Sequence, residues 1–114
     1  MLNIYGIKNC DTMKKAFRWL DEHQVEYQFH DYKKEGVNAE LAATWVAKLG
    51  WEAVINKRGT TWRKLTDDVK ENMNESNAVA LMLEQPSVIK RPLIVKNNDV
   101  YLGFNAEQYT QALL

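Results

Sequence analysis

Cys10 is the single cysteine of a 114-residue chain, and its surroundings give it chemical interest. It follows the alternating segment Leu2-Asn3-Ile4-Tyr5-Gly6 and stands just ahead of Met13, Ala16, Phe17 and Leu20, which recur at i, i+3, i+4 and i+7. That spacing predicts a strand, then a helix over about 11–22, with the thiol at the helix's N-terminal edge. Backbone N–H groups and the positive helix end stabilise a thiolate there, and cysteines so placed titrate at roughly 3.5–7.5 instead of ~8.5. A lone cysteine is commonly a small buried hydrophobe, but Lys8-Asn9 and Asp11-Thr12 surround this one with polar groups. Asp11 works in the opposite direction, because a carboxylate aimed at the sulfur disfavours its anion.

Ile7 lies three residues before Cys10 and Met13 three after it, so no Cys-x-x-Cys pair exists. A two-thiol cycle within one chain is excluded. If Cys10 attacks an oxidised sulfur, a thiol from outside must resolve the intermediate, either glutathione or a partner protein. His23 and His30 lack metal-ligand spacing to each other and to Cys10, so no metal is expected, and the absence of a Gly-rich phosphate loop gives no reason to expect a nucleotide. A Cys10–His30 pair stays open as an alternative to an ordinary solvated histidine beside Asp31.

Arg91 offers a planar fork of donors suited to a carboxylate or oxyanion, and its charge would favour a nearby thiolate. It precedes Pro92 at the start of an apolar strand, one of the few sheet positions that tolerates proline; the isomer of that bond is not fixed by these residues. The stretch Asn56-Lys57-Arg58-Gly59-Thr60-Thr61-Trp62-Arg63-Lys64 reads as a compact basic loop. One aromatic in the loop and zero net charge on the chain, with 15 basic and 15 acidic side chains, argue against a nucleic-acid partner.

The elements that must position these groups follow from periodicity. Val25, Tyr27 and Phe29 alternate with polar residues as a second strand does. Asn38 caps a helix with Leu41, Trp45, Val46 and Leu49 on one face and Gly50 at its stop, and a short turn follows over Trp51–Ile55. Thr66 with Asp67 and Asp68 marks another helix start, and Ser76 is expected to cap a helix carrying Val79, Met82 and Leu83 inside and ending before Pro86. Leu93-Ile94-Val95-Lys96, the turn Asn97-Asn98-Asp99 and Val100-Tyr101-Leu102-Gly103-Phe104 form a hairpin, after which Asn105 and Gln108 open a C-terminal helix. The order is β-α-β, several helices, then β-β-α. This predicts an α/β, thioredoxin-like fold: one domain over 1–114 with a helical insertion at about 38–88.

A chain of this length buries roughly 65% of its unfolded surface and needs no disulfide. No apolar run approaches the ~20 residues of a membrane span, and the N-terminus is too soon polar for a signal peptide, so neither membrane nor export is expected and the cytoplasm is. A monomer is expected.

With these pieces in order, the sequence resembles the arsenate reductase-like family, which also holds Spx-type transcription regulators and YffB-type proteins. The resemblance spans essentially the whole chain. It rests on Ile4-Tyr5-Gly6-Ile7-Lys8-Asn9-Cys10-Asp11-Thr12-Met13-Lys14-Lys15-Ala16, on Arg58 ahead of Trp62 and Leu65, on Ile89-Lys90-Arg91-Pro92-Leu93-Ile94-Val95, and on Leu102-Gly103-Phe104. It implies that Cys10 is the nucleophilic thiol, that Arg91 and Arg58 contact an anion, that Pro92 is the cis-proline beside which a peptide-like substrate such as glutathione pairs, and that Thr12 is the hydroxyl residue of the family's Cys-x-Thr loop. Two departures narrow the branch. Arsenate reductases carry a further arginine on the last strand, where this chain reads Leu102-Gly103-Phe104, and Spx-type regulators typically carry a second thiol where this chain has Met13. The YffB-type branch fits best, which implies a glutathione-dependent monothiol reductase with glutathione as cosubstrate. A protein-binding adaptor and an arsenate reductase are the alternatives.

Overall fold

The computed structural model describes residues 2–114, which divide into two compact units: 2–31 with 91–114, and 32–90. The first unit contains every strand of the sheet. Strand β1 (Leu2–Gly6) leads to helix α1 (Asp11–Glu22) and strand β2 (Tyr27–Asp31), and late in the chain β3 (Leu93–Lys96) and β4 (Asp99–Leu102) lead to a C-terminal helix over Ala106–Leu113. The strands lie in the order β2-β1-β3-β4. β1 pairs parallel with β2, which requires the intervening helical crossover, and antiparallel with β3 through Asn3–Val95, Ile4–Ile94 and Tyr5–Leu93. This is the thioredoxin-like arrangement expected from the element order.

One face of the sheet supplies Leu2, Ile4 and Ile94, and α1 supplies Met13, Ala16, Trp19 and Leu20; these form one core with Tyr109 and Leu113 of the C-terminal helix. Trp19 meets the Tyr109 ring edge-on at 5.3 Å. The Tyr109 hydroxyl donates to the Gly103 carbonyl at 2.7 Å, and burial pushes that phenol well above its ordinary pKa. Lys14, Lys15, Arg18 and Asp21 face outward on α1, as the periodicity requires. Val25 falls outside β2, because the turn after α1 uses its N–H on the Leu20 carbonyl.

The second unit is helical: α2 (Tyr32–Glu35), α3 (Ala39–Leu49), α4 (Trp51–Val54), α5 (Thr60–Arg63), α6 (Asp67–Glu71) and α7 (Glu75–Glu84), then a 3-10 turn over Pro86–Val88. The C-terminal helix is therefore α8. The helical run begins at Tyr32, ahead of the Asn38 expected, and Tyr32 is buried. Asn38 and Thr66 cap α3 and α6 by accepting from the Leu41 and Val69 N–H groups. Gly50 ends α3 at φ 85°, a conformation glycine adopts without cost. The basic segment expected to be a loop contains the short helix α5.

α7 departs from expectation at its start. Its cap is Asn74, whose side chain accepts from the Asn77 N–H, and Ser76 lies inside the first turn. The buried face carries Ala78, Leu81 and Met82 in place of the expected Val79, Met82 and Leu83, and Leu83 is 38% exposed. Asparagine and serine are comparable as caps, so residue type alone does not choose between Asn74 and Ser76.

Candidate functional site

Cys10 occupies the N-cap of α1 with extended backbone angles, φ −142° and ψ 130°, and its carbonyl accepts the first helical bond from the Lys14 N–H at 2.9 Å. An extended N-cap directs its side chain back over the open first turn, where the N–H groups have no helical partner. The thiol is half-buried and in no disulfide. It makes no capping hydrogen bond of standard geometry, but the Met13 and Thr12 N–H groups and the Arg91 guanidinium all act on the sulfur. Burial is the largest single influence and pushes the thiol up; the Met13 N–H, the Arg91 side chain, the Thr12 N–H and the Arg91 charge together outweigh it. The pKa is lowered below its ordinary value.

Arg91 reaches Cys10 because β3 lies beside β1 in the sheet, and the segment entering β3 therefore passes the end of β1 from which Cys10 follows. The Arg91–Pro92 peptide is cis, the isomer the family resemblance implies. Pro92 is buried, and its carbonyl accepts from the Gly103 N–H at 2.8 Å. Gly103 sits past the end of β4 at φ 78°. The position where arsenate reductases are expected to place an arginine is thus a left-handed turn in this chain.

Two contributors were not marked by sequence reasoning. Met13, read only as a core residue, also presents its N–H to the sulfur, and Gly6 makes room for it. A Cβ on Gly6 would run into the Met13 sulfur, lie 2.6 Å from its terminal methyl and 3.4 Å from the Arg91 Cβ. Gly6, Met13 and Arg91 are therefore packed against one another next to Cys10. The signal available in the sequence was a glycine closing the strand that leads to the thiol.

Arg58 is exposed in the helical unit, ahead of α5. Trp62 stacks on Trp51 with ring centres 6.3 Å apart, and the Lys57 ammonium sits 4.9 Å from the Trp51 ring centre and 5.9 Å from that of Trp62. That aromatic surface is engaged by the chain's own lysine. The His30 ring stacks on Tyr5 at 4.5 Å and its Nε2 bonds the Asn3 side chain at 2.9 Å. His30 is not among the groups acting on Cys10. Among the described residues no three His, Cys, Asp or Glu side chains gather as a metal cage, and no helix is long and apolar enough to cross a membrane.

A thiol at a helix N-cap beside an arginine and a cis-proline, on a thioredoxin-like sheet, coincides with a match to the ArsC family over residues 5–112. The chain belongs to the ArsC family. Similar proteins include a solved YFFB protein, 48% identical with a TM-score of 0.96 over 100% of both chains. An uncharacterized protein of Haemophilus influenzae is 40% identical over 98% of each chain. More distantly, the global transcriptional regulator Spx of Streptococcus agalactiae is 29% identical over 95% of this chain and 80% of its own length. The chain is thus similar both to proteins named as transcriptional regulators and to proteins whose names give no activity.

Proposed function

We propose that this ArsC-family chain is a cytoplasmic, glutathione-dependent monothiol oxidoreductase with Cys10 as nucleophile. The observation that carries it is the Cys10 thiol, lowered by first-turn N–H groups and Arg91 against the opposing effect of burial. In the first step the Cys10 thiolate attacks the glutathione-side sulfur of a mixed disulfide. The old S–S bond breaks, and the substrate leaves as a thiolate that takes a proton from water. In the second step a glutathione thiolate attacks the Cys10 adduct, which restores the Cys10 thiolate and releases oxidised glutathione. The net change is a thiol–disulfide exchange in which the mixed disulfide and one glutathione thiol give the substrate thiol and oxidised glutathione, and no second protein thiol is required.

Arg91 has two roles here. It stabilises the attacking and departing thiolate of Cys10, and as a fork of donors it suits a carboxylate of the bound tripeptide. Thr12 and Pro92 complete the wall against which that peptide lies, and the family resemblance implies Arg58, on the helical unit, as a further anion-contacting residue. The test is the pH dependence of Cys10 alkylation together with intact mass after incubation with oxidised glutathione. A midpoint below the ordinary thiol value and one added glutathione, both lost in Cys10→Ser, are expected. A normal midpoint with no adduct overturns the proposal.

The similarity to Spx favours a second reading, an adaptor that binds a protein partner. Partner capture unaffected by Cys10→Ser, with no thiol-transfer activity in the unaltered chain, would replace the first reading with this one.

A further inference from the structure

The helical unit has a groove of about 520 Å³ between α6 and α7 that contains none of the residues assigned above. Leu65, Met73 and Leu81 supply apolar lining, and Val69, 44% exposed, adds its side chain from α6. A single exposed valine is ordinary on a protein surface. Here it converges with three other apolar side chains in one concavity.

The charged groups in the lining are Asp68 and Glu84, with no lysine or arginine. The amide nitrogens of two further lining residues are already committed within the unit, Asn72 to the Asp68 carbonyl and Asn77 to the Asn72 carbonyl. With Gln85 the remaining polar lining residue, the charge in the lining is entirely negative. From residue 65 to residue 85 the acids are Asp67, Asp68, Glu71, Glu75 and Glu84, against the single base Lys70, in a chain of zero net charge. An apolar trough between two helices suits a third helix laid into it, with anchors spaced i, i+3 or i+4, and i+7. Charge complementarity specifies the flanks of that helix as basic.

We propose that the α6–α7 groove is a docking site for an amphipathic, Lys/Arg-flanked helix of a partner protein. It acts independently of the Cys10 chemistry.

The probe is a 16-residue peptide with leucines on one helical face and lysines beside them, titrated into the isotope-labelled full-length chain and followed by amide chemical shifts. A control peptide carries glutamates in place of the lysines. Saturable shifts confined to residues 65–85 are expected for the basic peptide, with affinity that falls as salt is added. Affinity should drop about tenfold or more for the acidic peptide and for the surface variants Val69→Lys and Glu84→Lys, and should be unchanged in Cys10→Ser. Equal binding of the two peptides, shifts centred outside 65–85, or no saturable binding would overturn the proposal. A dimer of the chain itself that Val69→Lys dissociates would also overturn it, because the occupant would then be a second copy.

Discussion

In the strand-bearing unit, the thiol and the arginine that acts on it come from opposite ends of the chain and meet through β1–β3 pairing. In the helical unit the notable features arise between near neighbours: Asn38, Thr66 and Asn74 each cap a helix three residues on, and the α6–α7 groove is lined within residues 65–85. The first unit gathers a half-buried thiol, a cation and first-turn donors, while the second carries separated patches of opposite charge and no thiol. Shifting a thiol's titration needs several groups fixed around one atom, which tertiary pairing provides. A docking surface needs area and a rim of one sign, and local helix packing is sufficient for that.

This contrast predicts different costs for small changes in the two units. The largest is expected at Gly6→Ala. The added Cβ must displace the buried Met13 side chain, an overpacking cost of about 1–3 kcal/mol. Urea denaturation should show this loss, and the Cys10 alkylation midpoint should rise because the Met13 N–H moves with its residue. An unchanged midpoint would mean that the strand end does not help position the first turn.

Next is Arg91→Ala. Removing a hydrogen bond to a charged group costs about 1.5 kcal/mol, so alkylation of Cys10 near neutral pH should slow by about tenfold. Arg58→Ala should leave that rate unchanged and, if it contacts the substrate anion, raise the KM for a glutathionylated substrate. Equal effects of the two substitutions on alkylation would erase the distinction between the units.

In the helical unit, Asn74→Ala should cost about 1 kcal/mol and Ser76→Ala less than about 0.5 kcal/mol. The reverse ranking by denaturation would restore Ser76 as the cap of α7.

The smallest effect is the pH dependence of stability. Folding lowers the Cys10 pKa, so the folded chain holds the anion at pH values where the unfolded chain still holds a proton. The resulting stabilisation is complete above the ordinary thiol value of ~8.5 and is lost as pH falls through the lowered folded value. The stability difference between the unaltered chain and Cys10→Ser should therefore change in the unaltered chain's favour as pH rises through that window. A pH-independent difference in denaturation midpoints would contradict the lowered thiol.

Much of the fold follows from local pattern. The apolar period of Met13, Ala16, Phe17 and Leu20 defines α1, and Asn38 with Gly50 brackets α3, because hydrogen bonds within a few residues of one another are encoded by those residues. The start of α7 was less determinate, since Asn74 and Ser76 are comparable caps, and which apolar face turns inward depends on what packs against it. Trp19 stands outside the i, i+3, i+4, i+7 stripe and is a core candidate by residue type alone; in the structure it packs against Tyr109. Its partner is ninety residues away, beyond the reach of any local period.

The candidate site divides in the same way. A lone thiol at a strand-to-helix junction, with polar neighbours and no second cysteine, is a local feature, and residue types and spacing alone mark Cys10 as a candidate nucleophile that would need an outside thiol. Arg91 could be named from its charge and its place before Pro92, but not brought to the sulfur. The tertiary structure decided that, along with the role of the Met13 N–H and the need for glycine at position 6. These depend on distances between segments that touch only after β1 and β3 pair, and no pattern along the chain encodes the convergence of Gly6, Met13 and Arg91 beside one sulfur.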